Sequence, residues 1–98
     1  MQVATTILQQ LGGNRFKAMT GAKNFIGSPR ALSFHLPTCT TKNKANEVRI
    51  ELTADDDYRV RFYAARGANI KTVSVHDGIY ADRLQSLIET ETGLATHF

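Results

Sequence analysis

The sequence predicts an α+β fold: an antiparallel sheet of four or five strands, flanked by an N-terminal and a C-terminal helix. Three observations predict it. Apolar residues recur at helical spacing near the two ends, the middle of the chain alternates with a period of two, and short polar turns separate the alternating stretches. A sheet with one apolar face needs a cover, and two helices with one apolar stripe each supply it. The 98 residues, 1–98, make one domain, a size that buries roughly 60–70% of its unfolded surface.

The first helix is expected over residues 2–11, where Val3, Ile7 and Leu11 recur every four positions beside Ala4 and Leu8. Gly12 and Gly13 stop it, because glycine takes the left-handed conformation past a helix end at little cost. "RFKAMTGAKNFI" then reads as two short extended pieces around Thr20-Gly21, with Phe16 and Ala18 alternating with Arg15 and Lys17. "GSPR" is a turn. In "ALSFHLP", Leu32, Phe34 and Leu36 share one face while Ala31, Ser33 and His35 share the other, and Pro37 closes the strand or leaves it at an edge. "TCTTKNKAN" (38–46) is polar and loop-like.

The strongest pattern is "EVRIELTADDDYRVRFYAAR". Val48, Ile50 and Leu52 answer Tyr58, Val60, Phe62 and Ala64 across the turn Ala54-Asp55-Asp56-Asp57. Gly67 and Asn69 make the next turn, and "IKTVSVH" adds a strand with Val73 and Val75 inward. His76-Asp77 is placed as the N-cap region of the second helix. That helix runs from about 79 to 92 on Tyr80, Leu84, Leu87 and Ile88, with Gly93 at its end and Leu94 set for a Schellman contact.

Charge is divided unevenly. Before Glu47 stand Arg15, Lys17, Lys23, Arg30, Lys42 and Lys44 with no acid, a charge of +6. From Glu47 onward six basic residues meet nine acidic ones, giving −3. Such asymmetry points toward a polyanionic partner. Six contacts of this kind to duplex DNA would lose roughly two to three orders of magnitude in affinity between low and physiological salt.

The sheet face away from the helices should present Arg49, Glu51, Arg59, Arg61 and Tyr63, joined by Ser33, His35 and Lys71. Arginines beside an aromatic ring on an open sheet hold single-stranded nucleic acid through phosphate contacts and base stacking. Arg49, Arg59, Arg61 and Tyr63 are therefore the candidate nucleic-acid-binding residues, with Lys17 and Lys23 next. The alternative is that the arginines only pair with Glu51 on a solvated face. Lys23-Asn24 beside Gly21 makes a weak match to an anion nest.

Catalytic, metal and cofactor chemistry find no pattern. His35, His76 and His97 lie on different elements without zinc spacing. Cys39 lacks an orienting group for a pair with His35. Asp55, Asp56 and Asp57 lack the Gly and Glu that complete a calcium loop. A lone cysteine forms no internal disulfide. No apolar run nears the ~18–20 residues that span a bilayer, and "MQVATTILQQ" lacks the basic head and apolar middle of a signal peptide. The expected setting is cytoplasmic, with no membrane partner.

"TILQQLGGNRFKAMTGAKNF", "LSFHLP", "VRIEL" and "IYADRLQSLIETETGLATHF" together resemble a family of short proteins encoded by bacteriophages, prophages and related mobile elements. The resemblance covers nearly the whole chain and implies a setting, a bacterial host cell, without supplying functional residues. The expected function is a small non-enzymatic accessory protein that binds nucleic acid through a basic sheet face and loops. The alternative is a protein–protein module, either a homo-oligomer or an inhibitor of a host or defence protein.

Overall fold

The computed structural model describes residues 2–37, 45–66 and 68–93. Helix α1 (Gln2–Leu11) and a second helix α2 (Asn14–Thr20) precede five strands: β1 (Lys23–Ser28), β2 (Ala31–His35), β3 (Glu47–Leu52), β4 (Tyr58–Arg66) and β5 (Asn69–Ile79). A 3-10 turn (Ala81–Arg83) leads into α3 (Leu84–Thr92). The strands form one antiparallel sheet in the order β1-β2-β3-β4-β5, so each strand pairs with its neighbour in sequence. This is the predicted α+β arrangement, with an antiparallel sheet between N-terminal and C-terminal helices.

The core lies between the sheet and the helices. Ile7 and Leu11 of α1, and Leu84 and Ile88 of α3, are fully buried against Leu32, Phe34, Val48, Ile50, Val60 and Phe62 of the sheet. Burying each such side chain contributes roughly 1.5–3 kcal/mol. The predicted pairing of the central hairpin is found in register: Val48 opposes Phe62, Ile50 opposes Val60, and Leu52 opposes Tyr58. Tyr58 keeps its hydroxyl satisfied by donating to Gln10 Oε1 at 2.8 Å.

The segment after Gly13 departs from expectation. Gly12 and Gly13 do end α1, through Gly13 N–H donating to Leu8 O at 2.9 Å, but residues 14–20 form helix rather than strand. Phe16 and Thr20, four apart, are the buried pair, whereas Ala18 is exposed, so the helical period prevails over the alternation. Phe16 packs edge-on against Phe34 at 5.3 Å. The Thr20 hydroxyl donates to Phe16 O at 2.7 Å and accepts Ala22 N–H at 3.2 Å, and Gly21 caps the helix in the left-handed conformation. Thr20-Gly21 is therefore a helix stop, not a hairpin turn.

Strand β5 is longer and less regular than predicted. Its register slips against β4 between Phe62 and Tyr63 and again between Tyr58 and Val60. The first slip shifts the alternation so that Ser74 and His76 oppose Phe62 and Val60 on the helix side, while Val75 opposes Arg61 on the outer side and is 47% exposed. Val73 still packs against the core edge, so only half of the inward Val73/Val75 expectation holds. Gly78, at φ 67, accompanies the second slip.

His76 and Asp77 belong to this strand rather than to a helix cap. Because Ile79 pairs with Tyr58, the backbone at 79 is committed to the sheet, and regular helix begins only at Leu84. Tyr80 is extended and 60% exposed. The far end matches expectation, with Gly93 at φ 76 donating its N–H to Glu89 O. The Leu94 contact, the loop at 38–44 and the turn at Gly67 lie outside the described residues.

Asn46 extends the sheet beyond β3. Its backbone joins Leu36 to Tyr63, and its side-chain amide donates to Ala65 O and accepts Ala65 N–H, both at 2.8 Å. The side chain thus stands in for the next residue of a strand and satisfies the Ala65 backbone past the last β3 pair.

Candidate nucleic-acid interface

Pairing across an antiparallel sheet places directly opposite residues on the same face. The outer face can therefore be read as rows running across the strands. One row is Ile26, Ser33, Arg49, Arg61 and Val75. The next is Lys23, His35, Glu47, Tyr63 and Thr72. A third sets Glu51 opposite Arg59. Of the predicted site residues, the fold thus brings Arg49, Arg59, Arg61, Tyr63 and Lys23 to one face.

Lys23 arrives there because β1 carries an extra residue between Lys23 and Ile26, with Asn24 at φ 57, which resets the alternation. Ser33 and His35 lie where the alternation put them. Lys71 does not join: it stands opposite Ala64, in the register of the helix side. Lys17 is also elsewhere. Its Nζ sits 5.0 Å from the ring of Phe25, whose other contact is a stack on the core residue Phe34. Lys17 therefore covers the β1 edge of the core layer through a cation–π contact.

The arginines of the outer face are not equivalent. Arg59 is held by a hydrogen bond from Nε to Asp77, and its Nη1 lies 4.0 Å from Glu51. The hydrogen bond to Asp77, then the negative charges of Asp77, Glu51 and Asp57, keep its guanidinium protonated even more firmly than a free arginine. Arg49 has a looser contact, 3.8 Å from Glu51. Arg61 has no carboxylate partner among the described residues. It stands directly opposite Arg49, a like-charge pair that destabilises a sheet unless an anion lies between the two heads. In the second row His35 and Glu47 pair at 3.1 Å, leaving Lys23 and Tyr63 on either side.

Sequence reasoning missed Asp77, the residue that ties up Arg59. The signal was Asp77-Gly78 inside a strand pattern, where a glycine marks a bulge. The acid-free first half does not act as one stripe either. Arg30 donates to Leu52 O at 3.2 Å and Thr53 O at 3.0 Å and fastens the end of β3, while Lys42 and Lys44 lie outside the described residues. Asp55 and Asp56 form a polar turn around Thr53, which accepts Asp56 N–H on its carbonyl and Asp55 N–H on its hydroxyl.

On the helix side Ser74 Oγ donates to Glu91 Oε1 at 2.9 Å and His76 Nε2 lies 3.1 Å from the same oxygen. Both groups converge on the carboxylate, so His76 is not placed to take a proton from Ser74. Cys39 and His97 lie outside the described residues. No three His, Cys, Asp or Glu side chains converge as metal ligands among the described residues. Two shallow hollows of about 200 and 260 Å³ lie beside Leu87 and Leu52. Both are below the ~300–1,000 Å³ of most small-molecule sites. Among the described residues no helix is long and apolar enough to cross a membrane.

Compared with protein-family models, curated proteins and solved structures, the chain matches none of them.

Proposed function

We propose that this protein is a small non-enzymatic accessory protein of a phage or mobile element that binds nucleic acid through the outer face of its sheet. The observation that carries the binding reading is the direct opposition of Arg49 and Arg61. Two guanidinium groups on adjacent strands repel in the free protein, and a phosphate between them turns that repulsion into paired charge-assisted hydrogen bonds. Tyr63 follows Arg61 on the same face of β4, and Lys23 extends the positive charge to β1. The phage setting rests on the resemblance of the sequence blocks, and the non-enzymatic reading on the polar clusters being engaged in structural pairs.

Fluorescence anisotropy of labelled oligonucleotides, at ~50 and ~200 mM salt, tests this. Micromolar binding that weakens roughly tenfold between those salts is expected for two or three phosphate contacts. Absence of binding at the lower salt would retire the proposal.

A second reading has its own observation. Strand β5 is an 11-residue edge that carries exposed Ile70 and is followed by exposed Tyr80, a template for strand addition by a second copy or a host protein. It predicts a dimer by light scattering that persists at high salt.

A further inference from the structure

We infer that the nucleic acid is single-stranded and crosses the strands of the sheet, with a phosphate between Arg49 and Arg61 and a base against Tyr63. The inference rests on the reading of this face as a nucleic-acid surface and adds the strandedness and the path.

Position comes first. Arg49 and Arg61 lie on β3 and β4, inside a five-stranded sheet rather than at its edge. A duplex groove admits a helix or a two-stranded ribbon, so the interior of a wide sheet cannot reach its base edges. A single strand can lie flat on such a surface and expose its bases to it.

The ends of the arginine row are apolar. Ile26 at one end is 60% exposed and Val75 at the other 47%. A duplex keeps its base faces stacked inside and has no use for such side chains, whereas an unpaired base gains by covering them. Tyr63 adds a ring about 7 Å from Arg61 along β4, close to the spacing of a phosphate and its own base.

Charge sets the direction. Moving along the strands toward the β3–β4 turn, a phosphate chain meets Glu51, then Asp77 and the aspartates at 55–57. Moving across the strands it passes Glu47, which is engaged by His35 at 3.1 Å, and meets Lys23 on β1, three strand spacings or about 14 Å from Tyr63. The crossing path is the one with cations at both ends. It covers about four nucleotides or slightly more, the low end for small single-strand-binding folds.

The test uses fluorescein-labelled dT20, a 20-bp duplex of mixed sequence and dT4, at ~50 mM salt. The intact protein is expected to bind dT20 at least about tenfold more tightly than the duplex. Tyr63→Ala should weaken dT20 binding by roughly fivefold or more while Tyr63→Phe retains it, as loss of one base stack implies. Lys23→Glu should weaken dT20 and dT4 binding alike, because about four nucleotides already reach β1. Circular dichroism melting verifies that each variant is folded.

Equal affinity for duplex and dT20, or unchanged dT20 binding by Tyr63→Ala, overturns the single-strand inference and leaves the nucleic-acid reading standing. Lys23→Glu indistinguishable from the parent on dT20 overturns the crossing path. No binding of any of the three probes overturns the inference and the reading beneath it together.

Discussion

Arg49 and Arg61 face each other directly across β3 and β4, with Glu51 3.8 Å from Arg49 and no carboxylate on Arg61 among the described residues. Opposed like charges on a sheet cost stability, typically ~0.2–1 kcal/mol. A residue that weakens the fold and faces solvent is a candidate for function, because binding is where the cost can be recovered.

Replacing Arg61 with glutamine should therefore move stability and binding in opposite directions. Arg61→Gln removes the repulsion and keeps most of the side-chain stem, so urea denaturation should show equal or slightly higher stability, by up to ~0.5 kcal/mol. Oligonucleotide affinity should fall about tenfold at low salt. A variant that is less stable and binds normally would show that Arg61 serves the fold.

Arg59, placed by sequence among the leading binding residues, is engaged by Asp77 and Glu51. Asp77→Asn should release it toward the ligand, tightening oligonucleotide binding and steepening the salt dependence by about 0.7 of a unit on single strands. Arg59→Ala should lower the melting temperature while changing affinity less than Arg61→Gln does. The pair should not respond to rising pH through its arginine. A raised guanidinium pKa contributes stability in full below the unfolded value and loses it only above the folded one, beyond the ordinary arginine range. Melting curves between pH 7 and about 10 check this.

Asn46 carries a structural load that its loop position conceals. Asn46→Ala leaves the N–H and C=O of Ala65 without their side-chain partners, which should cost ~1–3 kcal/mol in urea denaturation. Asn46→Asp keeps the acceptor and loses the donor, so it should fall between parent and alanine. Amide exchange at Ala65 should accelerate in the alanine variant.

Gly21 separates α2 from β1 at φ 73, and a Cβ there would lie 3.1 Å from Pro37 Cγ. Gly21→Ala should therefore destabilise by ~1–2 kcal/mol, or roughly 4–16 °C in melting temperature for a domain of this size. Were residues 15–26 an extended hairpin, alanine at 21 would not break a helix cap, and loss of far-UV helical signal would be absent.

The sequence by itself determined the sheet and its cover. Val48, Ile50 and Leu52 against Tyr58, Val60 and Phe62 is an alternation that any folded arrangement must bury on one side, so register and face follow from local order. The same holds for the stripe Ile7, Leu11 and its counterpart Leu84, Ile88. Because the alternation is local, Arg49, Arg59, Arg61 and Tyr63 could be put on the outer face without a structure.

Tertiary structure decided where the local period is short or broken. Residues 14–20 offer one apolar alternation and one four-residue spacing, and the helix is the arrangement that buries both Phe16, against Phe34, and Thr20. In β5 the slips at Val73 and Gly78 turn Val75 outward and bring Asp77 onto Arg59. In β1 an extra residue brings Lys23 to the outer face. A bulge is a property of two strands, because one extra residue exists only relative to the partner it faces. The charge balance of the candidate site, with Arg59 occupied and Arg61 free of carboxylates among the described residues, was therefore set by pairing across the sheet and not by the order of residues along the chain.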